Sequence, residues 1–514
     1  MKYKNIFLYI FTIILILLFL SSTFAEIKEI RILHINDFHG FAEPYKPFGS
    51  DKYSGGVAFL ASKINSLRNE KPSLLLAAGD MIQGNNWANL FYGESVTELM
   101  NIMKFDAMVA GNHEFDFGQE ILKKRISDVL FPVLGANIEG IDSLQPYTIK
   151  NISGIKVGII GVITEDTPES THPRNVTGLK FKSVKETVSK YLNEIRDKVD
   201  IIILLSHTGY SNDRNLAKQL NGIDLIVGGH SHTKVTNPEK INNTLIVQAW
   251  EHGKALGVVD IILEDRKIIN STGYLEEIKP VPGQEDKEVQ FIVEKYKKKV
   301  DEVLDRTIGI ALTDLDGENV RRDETNLGNF IADIIKETAG ADAALINAGT
   351  IRTGIKKGEI KVKHIYSVLP FNNYIVAIKL TGRQIKEALE HGVSAIERNE
   401  GRFPQISGIT FKYNPEARPG ERVSLINISG RPIDMEKEYS VATNDFLVAG
   451  GDGYNVFRKA LISSKDFSIT NSLIKSKNLA YNEPGKWLRD VVVEYILKKG
   501  EVNPVKEGRI ISVK

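Results

Sequence analysis

Between residue 26 and about residue 280, short runs of Ile, Val and Leu alternate with longer stretches whose apolar residues recur at helical intervals. Unbroken apolar runs of this length belong to strands buried on both faces, so the alternation predicts an α/β fold. The expected strands are IRILHI (30–35), SLLLAA (73–78), AMVA (107–110), KVGIIGV (156–162), DIIILL (200–205) and DLIVG (224–228). At KPVPGQ (279–284) two prolines and a glycine break the pattern. The stretch that follows puts Val289, Ile292, Val293 and Tyr296 on one face of a helix and charges elsewhere, which predicts a solvated amphipathic linker over 281–307. A second α/β region occupies 308–514, with strands such as AALINA and helices such as RQIKEALEHGVSAIE. No internal repeat or low-complexity segment is visible.

The first segment, 1–25, reads as an address. Lys2 and Lys4 precede an apolar run from Ile6 to Leu20, and small residues lie ahead of Glu26, the layout of a secretory signal cleaved after Ala25. The run is shorter than the roughly 20 residues that span a bilayer. No second long apolar stretch follows, and EGRIISVK at the C-terminus is no hydrophobic tail. The expectation is an exported protein, periplasmic or extracellular, with no stable membrane insertion.

Composition narrows the chemistry. The 514 residues are 42% hydrophobic and 25% charged, as in ordinary folded domains, and the net charge of +1 gives no electrostatic footprint for nucleic acid. With no cysteine there are no disulfides, thiolate metal sites or Cys nucleophile. Oxygen and imidazole must do the work. Five strand-like runs each end in such a group: Asp37 and His39, Asp80, Asn112 and His113, His207, and His230 and His232. The carboxyl edge of an α/β sheet is where sites form. On an extended chain the i, i+2 spacing of the Asp37/His39 and His230/His232 pairs would aim both side chains the same way. With His113 set aside, two carboxylates, an amide oxygen and four imidazoles suit Zn, Mn, Fe or Co better than Ca. Seven ligands are too many for one tetrahedral ion and suit two ions sharing a carboxylate, the arrangement of in-line phosphoryl displacement. Taken singly, a strand-end Asp is more often a turn residue and a lone His a core residue. The convergence of five strand ends carries the metal reading.

The strings HINDFHG, AAGDMIQG, AGNHEFDFG, LSHTG and GGHSH, in this order, resemble the calcineurin-like metallophosphatases. RRDETNLGNFIAD (321–333), NAGTIR (347–352), LPFNN (369–373) and TNDFLVAGGDGY (443–454) narrow the resemblance to the bacterial and animal 5'-nucleotidase family, over nearly all of the chain beyond residue 25. The resemblance implies an N-terminal four-layer αββα sandwich over 26–280 and a second, smaller α/β substrate-binding domain over 308–514. It implies one divalent metal among Asp37, His39, Asp80 and His232, a second among Asp80, Asn112, His207 and His230, and Asp80 as bridge, the metals being Zn, Mn or Co. His113 and Asp116 match a catalytic dyad, and Arg321 and Arg352 match phosphate-binding arginines. Asn347 and Asp452 match residues that bind base and ribose, and Phe371 and Phe446 match a pair that sandwiches the base. Two positions depart: Gly317 stands where some relatives carry another Arg, and His232 where some have Gln or Asn.

The activity implied is release of phosphate from nucleoside 5'-monophosphates by in-line attack of a metal-bound water, with nucleotide as the small-molecule partner. Hydrolysis of 2',3'-cyclic or 3'-nucleotides, or of UDP-sugars and nucleoside polyphosphates, on the same machinery stays open. So does a nucleotide-binding surface protein without turnover, although a binder has no need of the dyad and a full ligand set. Metal residues fall in 37–232 and substrate residues in 321–452, so the two halves must meet across a cleft, with 281–307 as the hinge.

Overall fold

Successive side chains on a strand point to opposite faces, and along Ile27–Ile35 both sets are buried: Ile30 and Ile32 on one side, Leu33 and Ile35 on the other. That strand therefore lies between two packed layers. In the computed structural model, which describes residues 26–47, 50–464, 467–470 and 473–513, it sits inside a six-stranded sheet. On one side Ser73–Ala77, Ala107–Val109 and Val133–Leu134 follow it in turn, all parallel, and the antiparallel hairpin Ala255–Glu264/Lys267–Glu277 closes the other side. A second six-stranded sheet has Thr244–Gln248, Leu225–Gly228, Ile201–His207 and Ile155–Ile163 in parallel, with an antiparallel strand at each edge. Ile30, Ile32, Leu74 and Leu76 of the first sheet pack on Val157, Ile159, Ile203 and Val227 of the second. The outer faces are covered by helices Val57–Arg68 and Glu94–Ile102 on one side, and by Val184–Ile195 and Tyr210–Gln219 on the other. This is the four-layer αββα sandwich.

The expected strands are all present, shifted by up to three residues at their ends. Thr244–Gln248 and the Ala255–Glu277 hairpin were not expected. The outer hairpin strand alternates exposed and half-exposed side chains instead of forming an apolar run. Residues 1–25, read as a signal, lie outside the described residues.

Helix Lys287–Leu304 starts at Asp286, whose side chain accepts the Val289 N–H at 3.0 Å, and it is less solvated than its charges suggest. Val289, Ile292, Val293 and Tyr296 enter the core that contains Trp87, Val96 and Met100. Val300 and Leu304, one to two turns on, belong to the core of the second half. That half is built on a mixed five-stranded sheet, with Ala343–Asn347 and Glu438–Asn444 at its centre. Two smaller sheets flank it, one of three and one of four strands. Asn347 ends one central strand and Asn444 the other, which puts the NAGTIR and TNDF loops side by side.

Candidate active site

Past the strand ends, the backbone of the first half turns sharply. Asp37, His39, Asp80, His230 and His232 have φ of 49, 50, 55, 75 and 51°, in the left-handed region that residues other than Gly, Asn and Asp seldom occupy. The paired side chains therefore do not reach a common centre from an extended strand, as the spacing suggested. They reach it because the chain curls there, held by the Asp37 N–H on the Gly79 carbonyl at 3.0 Å and the His39 N–H on the Asp80 carbonyl at 3.0 Å.

Two clusters result, each with its donor atoms within 4.8 Å of one another: Asp37, His39 and His232, and Asp80, His207 and His230. Asn112 joins the second, its Oδ1 2.9 Å from His230 Nδ1 and 3.2 Å from His207 Nε2. Asp80 Oδ2 lies between the clusters, 3.1 Å from His207 Nε2 and 3.8 Å from His39 Nε2. Its other oxygen accepts the His113 N–H at 2.9 Å. Gly111 makes this approach possible, since a Cβ there would lie 2.3 Å from Asp80 Oδ1. Two imidazoles are oriented by backbone: His39 Nδ1 faces the Gln83 carbonyl at 2.8 Å and His207 Nδ1 the Ala78 carbonyl at 2.7 Å. Their Nε2 atoms are thereby left for the clusters.

The electrostatics suit cations. Burial disfavours the charged form of every one of these imidazoles, yet Asp80 draws His207 up to about 10 and Asp37 draws His232 up to about 9. Burial, with the neighbouring Arg352 charge, pushes His39 well down, and burial with His207 pushes His230 down to about 3. Each cluster thus carries carboxylate charge strong enough to pull a proton onto one imidazole, and a hard to borderline divalent ion matches this donor set. The residues present fit the two metals that the sequence implied.

Beside the clusters, His113 Nδ1 meets Asp116 Oδ2 at 2.6 Å. Asp116 is itself held by Thr171 Oγ1 at 2.7 Å and Asn175 Nδ2 at 2.9 Å. The second half reaches the same place: an Arg352 guanidinium nitrogen is 3.3 Å from His39 Nε2, and the Phe371 ring lies 5.9 Å from that of His113. Deeper in the second half, Asn347 Nδ2 donates to Asp452 Oδ2 at 2.6 Å, and burial pushes that carboxyl above its usual range. Phe446 lies so close over Gly451 that a Cβ on the glycine would be 2.3 Å from the ring. The partly buried Arg321 stands near enough to Asp452 and Arg352 to act on both charges. At Gly317 a Cβ would be 2.2 Å from the Thr353 carbonyl, so this loop conformation has no room for the arginine that some relatives carry there.

Four supporting residues escaped the sequence reading. Glu114 accepts the N–H groups of Asp80, Met81, Ile82 and Gly111 at 2.6–3.2 Å and ties two ligand loops together. Asn444 donates to Asn347 Oδ1 at 3.3 Å and to Thr350 Oγ1 at 3.0 Å. Glu251 and His252 form a third acid–imidazole group with His232. They follow the unexpected strand Thr244–Gln248, so the strand-end pattern that marked the other ligands would have flagged them.

Comparison with known proteins agrees with this architecture. A calcineurin-like phosphoesterase family model matches residues 30–234, and a 5'-nucleotidase C-terminal domain model matches 302–459. The trifunctional nucleotide phosphoesterase protein of Bacillus subtilis is 33% identical over 94% of this chain, which spans 35% of that longer protein. The snake venom 5'-nucleotidase of Crotalus adamanteus is 32% identical, over 95% of this chain and 90% of its own length. The crystal structure of a 5'-nucleotidase precursor from Thermus thermophilus is 31% identical and superposes with a TM-score of 0.85, covering 95% of this chain and 99% of the other.

Proposed function

Because the chain belongs to the 5'-nucleotidase family of calcineurin-like phosphoesterases, we propose that the cleft between its halves releases phosphate from nucleoside 5'-monophosphates with the help of two divalent cations. The observation that carries this reading is Asp80, whose one carboxylate faces both imidazole clusters while the dyad and a guanidinium from the other half converge beside it.

Asp37, His39, Asp80 and His232 would hold one cation, and Asp80, Asn112, His207 and His230 the other. Zn, Mn or Co fits these donors. When bound, such a pair supplies Lewis acidity, lowering the pKa of a water and neutralising charge on the phosphoryl group. The chain's own residues do the rest. Arg352 and Arg321 present guanidinium forks to phosphate oxygens, and Arg352 stays cationic although burial and Arg321 bring it down to about 10. His113, with Nδ1 held by Asp116, keeps Nε2 on the opposite side of the ring, where its proton can stabilise the phosphoryl group or pass to the departing 5'-oxygen. Phe371 and Phe446 stack on the base, and Asn347 and Asp452 hold base and ribose. Residues 26–280 form the metal-binding domain and 308–514 the nucleotide-binding domain, joined by the helix within 281–307. Residues 1–25 serve as an export signal, and among the described residues no helix is long and apolar enough to cross a membrane.

The test is phosphate release from AMP, UDP-glucose and 2',3'-cyclic AMP by metal-free protein given one divalent ion at a time, beside metal analysis of two variants. Asp80→Asn should lose metal and activity together, because the bridge loses its charge. His113→Ala should keep its metal and lose turnover by about 100-fold or more. Metal lost from His113→Ala but retained, with full rate, by Asp80→Asn would refute the assignment.

A further inference from the structure

We propose that Glu251 is a positioning residue for the first cluster: its carboxylate holds His232 with Nε2 turned toward Asp37 and His39, and gives that cluster the tighter grip on a divalent cation. The inference rests on the two-cation reading above and deepens it.

The argument begins with what stands behind each imidazole. His39 and His207 lean their Nδ1 atoms on neutral backbone carbonyls, Gln83 at 2.8 Å and Ala78 at 2.7 Å. His232 alone among the ligand candidates leans on a carboxylate, its Nδ1 in close contact with Glu251 Oε2. Its Nε2 is then 3.3 Å from Asp37 Oδ1 and 3.3 Å from His39 Nε2, pointing into the cluster. A histidine that donates its outer N–H to a carboxylate is fixed in tautomer and ring orientation and is a more basic metal donor, an effect commonly worth 10–100-fold in metal affinity.

Glu251 is held in place for this task. Its other oxygen pairs with Lys254, whose ammonium lies 3.9 Å from the centre of the Trp250 ring. Residues 250 and 252 on either side have φ of 63 and 55°, a conformation that survives only when its surroundings impose it. Those surroundings are the Asp37 loop: Asn36 Nδ2 donates to the Trp250 carbonyl at 2.5 Å, and the His252 N–H donates to the Asp37 carbonyl at 2.7 Å. His252 is stacked on Phe41 with ring centres 3.9 Å apart, and its Nδ1 meets the Tyr45 hydroxyl at 2.9 Å. With Lys254 on one carboxylate oxygen and His232 on the other, Glu251 supports the cluster and is poorly placed to hold a third cation with His252. The two clusters are consequently unequal. The first has Asp37, the shared Asp80 and the Glu251 charge behind His232, whereas the second has Asp80 as its only carboxylate.

The experiment is titration of the metal-free protein with Co2+, followed by visible absorption, and with Mn2+, followed by calorimetry, for wild type, Glu251→Gln, His232→Gln and the double variant. Wild type should bind two ions of unequal affinity. Glu251→Gln should weaken the tighter step by about 10–100-fold and spare the other, with the Tm of the metal-free protein unchanged and turnover restored at high metal. In the His232→Gln background, Glu251→Gln should add nothing. Two steps of wild-type affinity in Glu251→Gln would overturn the inference. So would equal weakening of both steps with a lowered metal-free Tm, an undiminished Glu251→Gln effect in the His232→Gln background, or a third wild-type step removed by His252→Gln. A wild type that fails to bind two ions would instead overturn the functional reading beneath it.

Discussion

On the proposed reading, two aromatic side chains decide whether the leaving group is a nucleoside or anything else esterified to phosphate. Phe446 spreads over Gly451, and Phe371 reaches toward the dyad. Phe371→Ala and Phe446→Ala should each raise the KM for AMP by the equivalent of about 1–3 kcal/mol and leave hydrolysis of a small aryl phosphate far less changed. Equal losses on both substrates would remove the rings from the base site. A different residue, Asp213, makes a pH-dependent contribution to stability. Its Oδ1 accepts Ser206 Oγ at 2.6 Å and Thr208 Oγ1 at 3.0 Å, its Oδ2 has no partner, and burial pushes the carboxyl up to about 7. The folded state therefore holds a proton that the unfolded chain releases near its ordinary value of 3.8. Stability from this group is full below that value and is lost as pH rises toward about 7. Asp213→Asn, which mimics the protonated acid, should flatten that decline. Parallel Tm–pH curves for wild type and variant would show that the decline arises elsewhere.

At the scale of the element, strands buried on both faces were legible from their runs of Ile, Val and Leu, and their ends pointed to the residues that gather in the two imidazole clusters. Glu251 and His252 were passed over because the strand before them, Thr244–Gln248, was not among those expected. Curling at the strand ends was hidden too, since left-handed φ at Asp and His leaves no mark in the residue pattern. In the second half, Asn347, Phe371, Phe446 and Asp452 look like core or turn residues, and only the family strings set them apart. Packing between paired strands was equally invisible. His34 sits opposite Gly257, fully buried, both ring nitrogens without partners, and a Cβ on the glycine would be 1.9 Å from its Nε2. Gly257→Ala should lower stability by about 1–3 kcal/mol or more in urea unfolding. Adding His34→Ala should recover part of the loss, because the two positions share one space. Simple addition of the two losses would show that they do not.

Across the whole molecule, the two halves touch directly. Asn86 Nδ2 donates to the Lys363 carbonyl at 2.7 Å and to Ser367 Oγ at 3.0 Å, and His172 Nε2 faces Asp445 Oδ2 at 3.3 Å. A nucleotide held between metal ligands and stacking rings must enter by separation of these surfaces. His172→Glu would set two carboxylates against each other there. It should enlarge the radius of gyration in small-angle scattering and raise the KM for AMP, with metal content unchanged; no change in either would argue against this contact as part of closure. The helix between the halves has a further consequence, for the order in which the protein is made. Tyr296 completes the first core and Val300, one turn later, begins the second. While the chain is being synthesised, the first half therefore keeps an open apolar groove until the helix has left the ribosome. The moment at which that groove is filled is also the moment at which the second half acquires its first fixed surface to fold upon.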